Sequence, residues 1–329
     1  MNASAKPAAR LLWLILLVSA ACLAGEAPET PASASDDPLA ALVRDVRKRP
    51  EDSSYTHLAL AVAAEVYPDL TAEPRKDFEK ELDRLAVLLK AKLDRARTGK
   101  EKVEQLVALL HGELGLKTAR EVPPEQDDAD HYFAHATLAR KQGVCLGLGL
   151  LYLALAERTG LPLSPVHAPQ HLYLHYDDGK ERWSVEPTRA GRIFDEEAFQ
   201  KSYKMEPEQS AASAYFRPLG KLEVLGDLLN ALSWFSALGR VSKPVPPERA
   251  ILAARLCVEI GPADYNNWDT LAQALAYAQR PREALAALRK ALALRPPVSG
   301  RQDKSYWDGR LKRFEAAAER AEPDRGATP

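Results

Sequence analysis

From Pro38 to about Leu116, apolar residues recur at intervals of three and four. Leu39, Leu42 and Val43 share one face, Phe78, Leu82, Leu85, Leu88 and Leu89 another, and Val103, Leu106, Leu109 and Leu110 a third. That period predicts amphipathic helices with polar outer faces. Ser53 and Ser54, and the stretch from Thr71 to Pro74, read as helix starts, and Gly115 reads as a stop. Val122 to Asp130 is polar and proline-bearing, the pattern of a surface loop.

After that loop the period changes. Leu146, Leu148, Leu150, Leu151, Leu153 and Leu155 predict a helix near 145–158 that is apolar nearly all round and therefore buried. Gly160 fits its C′ position, and Pro162 prevents continuation. Two alternating segments, near 171–177 and 181–186, predict strands around Asp178-Gly179, a favoured two-residue hairpin turn. Such a turn pairs Asp177 with Lys180 and brings His171 opposite Glu186, with Cβ atoms about 4.5–5.5 Å apart. A longer turn through Lys180 and Glu181 shifts that register.

From about Leu222 the pattern is helical again and repeats. Trp234 and Trp268, Ala250 and Ala284, Cys257 and Ala291, and Pro262 and Pro296 are each 34 residues apart, which is the tetratricopeptide period. The second copy carries Trp268, Leu271, Ala272, Leu275, Ala284, Leu288 and Ala291 at signature positions. The first is poorer, because Pro244, Pro246 and Pro247 crowd its inter-helix turn. Tyr306 to Ala321 is expected to cap the array.

The amino terminus reads as an export signal over 1–25. Lys6 and Arg10 precede the apolar run Leu11–Val18, and small residues follow through Ala24 and Gly25. Cleavage after Ala21 or Ala24 fits; acylation of Cys22 is the alternative, against which Ser19 stands where a lipobox carries Leu. Residues 26–37 form an Ala-, Pro- and acid-rich linker. The expected domains are 38–217, helical over 38–120 with a catalytic-type core over 121–217, and a helical-repeat region over 218–329. A net charge of −1 over 329 residues leaves no basic footprint for nucleic acid. The expected location is periplasmic or extracellular, and a lipid anchor at Cys22 is the one membrane contact foreseen.

Export makes the cysteines matter, because exported proteins tend to pair thiols or avoid them. With Cys22 processed, Cys145 and Cys257 remain. Cys257 falls at a small-residue repeat position and is expected to serve packing. Cys145 opens the apolar helix after Gly143, where unpaired N–H groups carry about half a positive charge and favour an anion. His171 lies on one strand and Glu186 on its neighbour, so the parts of a cysteine–histidine–carboxylate triad are present. The backbone N–H of Cys145 would receive an oxyanion, with Gln142 and Gln170 as candidates for a second donor. Each residue also has a plain structural reading: Cys145 as a small buried hydrophobe, His171 as a strand residue, Glu186 as a strand end. His175, on the same face as His171 and opposite Arg182, is expected to be structural. Thr188 and Arg189 orient the strand end and are given no chemistry. One Cys with scattered His lacks zinc-ligand spacing, so neither a metal nor a cofactor is expected.

The stretches Glu81–Ala86, Leu110–Gly115, Arg140–Gly147, Leu151–Pro162, Val166–Leu172 and Trp183–Gly191 resemble the transglutaminase-like superfamily. Its SirB-type members pair such a domain with tetratricopeptide repeats. The resemblance implies an α+β, papain/transglutaminase-like domain with a helical N-terminal part and a small antiparallel sheet, followed by all-α helical hairpins. It also implies Cys145, His171 and Glu186 as the triad. Many SirB-type proteins lack the cysteine that this chain keeps. Glu186 stands for the usual Asp, and Gln170 stands where the family often has Gly. Two functions follow: an exported thiol acyl-transfer enzyme acting on a peptide or protein, as peptidase, amidase or transglutaminase, or a binding scaffold whose repeats carry the function.

Overall fold

A computed structural model describes residues 36–119, 127–206, 208, 210, 215–296 and 304–321. The expected export signal, Cys22, most of the linker and residues 122–126 of the surface loop lie outside the described residues.

The N-terminal part is helical, as its period requires. Helix α1 (Pro38–Lys48) is capped by Asp37, whose carboxylate accepts from Leu39 N–H at 2.8 Å. Ser54 caps α2 (Tyr55–Ala63) in the same way through His57 N–H. The long α3 (Ala72–Leu93) follows, and then α4 (Gly99–Val107), which runs into a π-helical turn over Ala108–Glu113. Gly115 ends it with φ 69°. Strand β1 (Lys117–Thr118) pairs in parallel with β2 (Gln142–Gly143), which follows α5 (Ala134–Arg140). Helix α6 (Cys145–Thr159) is buried along almost its whole length and closes at Gly160 with φ 74°, as its all-round apolar composition predicts.

The sheet has four antiparallel strands in chain order: β3 (Leu163–Ala168), β4 (His171–Asp177), β5 (Arg182–Glu186) and β6 (Arg192–Phe194). Strand β3 was not legible as a strand because Pro165 interrupts it. Proline is tolerated there because β3 is an edge. The short helix α7 (Glu196–Ser202) follows the sheet.

The β4–β5 register differs from the two-residue-turn expectation. Asp177 pairs with Arg182 and Leu174 with Val185, so the loop is the four residues Asp178–Glu181. Aspartate side chains decide this. Asp178 accepts from Lys180 and Glu181 N–H at 2.9 and 2.8 Å, and Asp177 accepts from Gly179 N–H at 2.9 Å. Those bonds satisfy the loop amides that a tighter turn would have left to the ladder. His171 is therefore diagonal to Glu186 rather than directly opposite. The slip is two residues, so both side chains stay on one face; a slip of one would have parted them.

From Lys221 onward the described residues form five helices: α8 (Lys221–Ala237), α9 (Pro247–Ile260), α10 (Tyr265–Tyr277), α11 (Pro281–Leu294) and α12 (Lys304–Arg320). The α8–α9 and α10–α11 hairpins carry the 34-residue correspondence. Ala250, Cys257, Ala284 and Ala291 are all fully buried, because only small side chains let the paired helices approach. One apolar core runs from Leu39 to Cys257 and joins the N-terminal helices, α6, one sheet face, α8 and α9. A second unites α9–α12 around Tyr265, Trp268, Leu288 and Trp307. The chain is thus an α+β fold followed by helical hairpins, as expected.

Candidate active site

Cys145 is the first residue of α6, and its position is set by close backbone packing. Val144 N–H donates to the His131 carbonyl at 3.0 Å, and Ala119 N–H donates to the Gly143 carbonyl at 2.8 Å. A Cβ on Gly143 would stand 2.5 Å from the Thr137 methyl, and one on Gly147 would collide with the Thr137 hydroxyl and the His131 carbonyl. The two glycines let the start of α6 lie flat on the segment 131–137. The absence of a side chain at Gly143 is used for this contact.

Alternation divides β4 and β5 cleanly. Leu172, Leu174, Tyr176 and Val185 join the large core with α6. His171, Tyr173, His175, Ser184 and Glu186 face the other way, toward α7. His171 Nε2 lies 2.5 Å from a Glu186 carboxylate oxygen, and Cys145 is close enough to the ring for its sulfur to act on it. Nε2 is engaged by Glu186, which leaves Nδ1 for the thiol. The three residues singled out from sequence therefore meet. Burial disfavours the imidazolium, yet the hydrogen bonds and charges of Cys145 and Glu186 override it and raise His171 to about 10. Burial would likewise raise Glu186, but the His171 and Thr188 bonds hold it below the usual carboxylate range.

Several residues support the pair, most of them beyond the sequence reading. Thr188 donates from its hydroxyl at 2.7 Å and its N–H at 3.0 Å to the second Glu186 oxygen, so both carboxylate oxygens are held. Tyr152 is fully buried, and burial with the charge of Glu186 pushes its hydroxyl far up. That hydroxyl is 2.8 Å from His111 Nε2, on the π-helical turn. Phe199 sets its ring edge-on to His171, centroids 6.2 Å apart. Only Thr188 left a sequence signal, as a hydroxyl residue two positions after an acid. The others come from distant elements.

Helix α7 is fastened over the sheet by one carboxylate. Glu196 accepts from Tyr173 at 2.5 Å, Ser184 at 3.1 Å and Gln200 at 3.2 Å, and lies 2.6 Å from His175 Nε2. Burial opposes its charge, but the His175 and Tyr173 bonds hold it down to about 2. His175 is thus structural as expected, although it stands opposite Ser184 instead of Arg182.

Cys145, His171 and Glu186 open into a cleft of about 1820 Å³ that continues over α8, α10 and α12. Gln170 lines it, at φ 58° in the tight β3–β4 turn, a conformation that favours glycine. Gln142 does not line it. Cys145 is partly exposed there, whereas Cys257 is buried, and both thiols are free. Among the described residues, no group of three or more His, Cys, Asp or Glu could hold a metal ion, and no helix is long and apolar enough to cross a membrane.

His167 of β3 stands 2.6 Å from Asp227 of α8 and ties the sheet edge to the helical hairpins. Burial opposes its charge, but Asp227 raises it to about 9. A histidine raised above its unfolded value of about 6.5 stabilises the fold fully below that pH, and the contribution is lost as pH climbs through 9. Between pH 6.5 and 9.5 the wild type is expected to lose about 1–3 kcal/mol more stability than His167→Gln. Denaturant titrations across that range test this, and parallel losses would refute it.

The profile of the transglutaminase-like superfamily matches residues 76–230. Protein YchA of Escherichia coli (strain K12) is 34% identical over 116 residues, which are 35% of this chain and 42% of YchA. Protein SirB1 of Salmonella typhimurium is 32% identical over 117 residues, with the same coverage of 35% and 42%. Human F-box only protein 21 is 37% identical over 54 residues, 16% of this chain and 9% of that protein. The chain thus spans less than half the length of the bacterial relatives, and no solved structure matches it. Through the segment 76–230 and its likeness to YchA and SirB1, the chain carries a SirB-type domain of the transglutaminase-like superfamily.

Proposed function

We propose that this chain is an exported cysteine acyl-transfer protein in which Cys145 is the nucleophile, His171 the acid and base, and Glu186 the carboxylate that orients His171. What carries the reading is a single imidazole held by Glu186 and placed beside Cys145, with all three residues at the wall of a large cleft. The sulfur attacks an amide carbonyl. The oxyanion takes the N–H of Cys145, one of the first-turn donors that have no intrahelical acceptor, and Gln170 at the cleft wall is the candidate second donor. As the C–N bond breaks, His171 gives its proton to the departing amine and a thioester remains. His171 then takes a proton from water, or from an amine, as that molecule attacks the thioester and returns the thiolate. Hydrolysis is the default outcome, because the sequence offers no readable acidic cluster for binding an amine.

The hairpins α8–α9 and α10–α11 are read as tetratricopeptide-type on their 34-residue spacing. Their role is to hold a peptide or protein along the cleft. Export rests on residues 1–25, and an acyl group at Cys22 would be the membrane anchor. The alternative of a non-catalytic scaffold keeps the same cleft and drops the chemistry. Brief exposure to an acyl p-nitrophenyl ester at pH 7 separates the two. Acyl transfer predicts one adduct by intact mass, mapped to Cys145 and absent from Cys145→Ala. Equal, slow modification of Cys145 and Cys257 would leave only the scaffold.

A further inference from the structure

The cleft carries an imbalance of charge. Each carboxylate that lines it is already occupied by the protein. Glu186 binds His171 and Thr188, Asp227 binds His167, and Asp269 binds Arg310 at 2.7 Å. Asp264 accepts from Tyr215 at 2.9 Å, Asp127 from Tyr132 at 2.9 Å, and Asp195 caps α7 through Ala198 N–H. Four lining cations are in the opposite state. Arg189 and Arg192 beside the triad, and Arg313 and Arg320 on α12, are exposed and have no ion pair or hydrogen bond among the described residues.

The two arginines on α12 belong to one stripe. Arg310, Arg313, Ala317 and Arg320 follow helical spacing on its cleft face, with Phe314 beside them. Arg310 is itself buried, with Trp234, Tyr306 and Phe314 at 5.5, 5.7 and 5.4 Å. It anchors the stripe against the hairpins and leaves Arg313 and Arg320 pointing charge into open cleft. At about 1.5 Å per residue these two lie about 10 Å apart along the helix, the reach of a few residues of extended chain.

We infer that the cleft selects an acidic polypeptide segment, with Arg313 and Arg320 taking a run of Asp or Glu side chains while Arg189 and Arg192 favour acid next to the reacting amide. This rests on the acyl-transfer reading for the fate of the substrate but not for its binding. A cavity beyond the roughly 300–1,000 Å³ of small-molecule sites suits a polymer. The overall charge of −1 argues against a nucleic acid, which needs a wide basic surface.

The test uses the full chain as Cys145→Ala, so that no turnover occurs, and the fluorescence anisotropy of three labelled Gly-Ser peptides carrying a run of Glu, of Gln or of Lys. The Glu peptide is expected to bind at least about tenfold tighter than the Gln peptide and to lose most of that advantage when salt rises from about 50 to 300 mM. Adding Arg313→Glu and Arg320→Glu should bring Glu binding down to the Gln level. Lys76→Glu, an exposed change on α3 away from the cleft, should leave binding within about twofold. Equal affinity for the Glu and Gln peptides overturns the inference. So does an equal loss with Lys76→Glu, or tighter binding of a single-stranded oligonucleotide of the same charge. Acylation failing at Cys145 would not alter these readings, and their failure would not alter the acyl adduct.

Discussion

His171→Ala is expected to slow alkylation of Cys145 by iodoacetamide at pH 6 by about 30- to 100-fold. An unassisted thiol ionises near 8.5, so only about 0.3% of it is thiolate at pH 6. An imidazole that takes the thiol proton removes that limit, a gain of up to about 300-fold in the reactive form. The weaker nucleophilicity of a stabilised thiolate takes back part of that gain. His171 is raised to about 10, so the pairing should persist through neutrality. The His171→Ala rate is expected to climb with pH more steeply than the wild-type rate between pH 6 and 8.5. Glu186→Gln removes the charge that holds His171 up, so its profile should depart from the wild type at lower pH. Superimposable profiles for wild type and His171→Ala would mean that the nearness of His171 to Cys145 has no chemical consequence. The acyl-transfer reading would fall with it.

Gly147→Ala is expected to destabilise the fold by about 1–3 kcal/mol and to lower Cys145 alkylation at least tenfold. In most exposed helical positions Ala is favoured over Gly by about 1 kcal/mol, so the sign here is set by packing. The added methyl meets the His131 carbonyl and the Thr137 hydroxyl. A backbone carbonyl cannot swing aside as a side-chain tip can. The start of α6 must lift, and Cys145, two residues away, lifts with it. Misplacement of a reacting group by about 1 Å costs on the order of 10²-fold in rate. Gly309→Ala on α12 is the matched control: a Cβ there meets nothing within 4 Å, so it should be neutral or stabilising and leave Cys145 reactivity unchanged. Urea unfolding and alkylation rates measured on both variants decide it. If Gly147→Ala matches Gly309→Ala, the close approach at α6 does not position the thiol.

The reach from Glu186 to His171 shows how a faulty local expectation still led to the right neighbours. A two-residue turn would have set the pair directly opposite. The observed loop sets them on a diagonal, where backbone separations are about 7–8 Å and a longer side chain is an advantage. Glu186, one methylene longer than the Asp usual in the family, closes that distance to 2.5 Å. The face was set by alternation, which a shift of two residues preserves. The register was set by Asp177 and Asp178 capping the loop amides, a competition between side chain and ladder that pattern alone does not resolve.

Periodicity by itself determined the elements whose side chains repeat a single requirement: the N-terminal helices, the buried α6 with its Gly160 cap, the β4 and β5 alternation, and the 34-residue helical pairs. Chemistry by itself singled out Cys145, His171 and Glu186 as candidates, because a thiol, an imidazole and a carboxylate are rare choices at helix start and strand end together. Only the tertiary structure decided what depends on residues distant in sequence. It laid Gly147 on the His131 carbonyl, put Thr188 and Tyr152 around Glu186, hung α7 on Glu196, and extended the cleft from the triad over α12. The physical reason is one of range. Hydrophobic period and turn chemistry act over a few residues and are written where they act, whereas a cleft and its charge are sums over surfaces that meet only once the chain has folded.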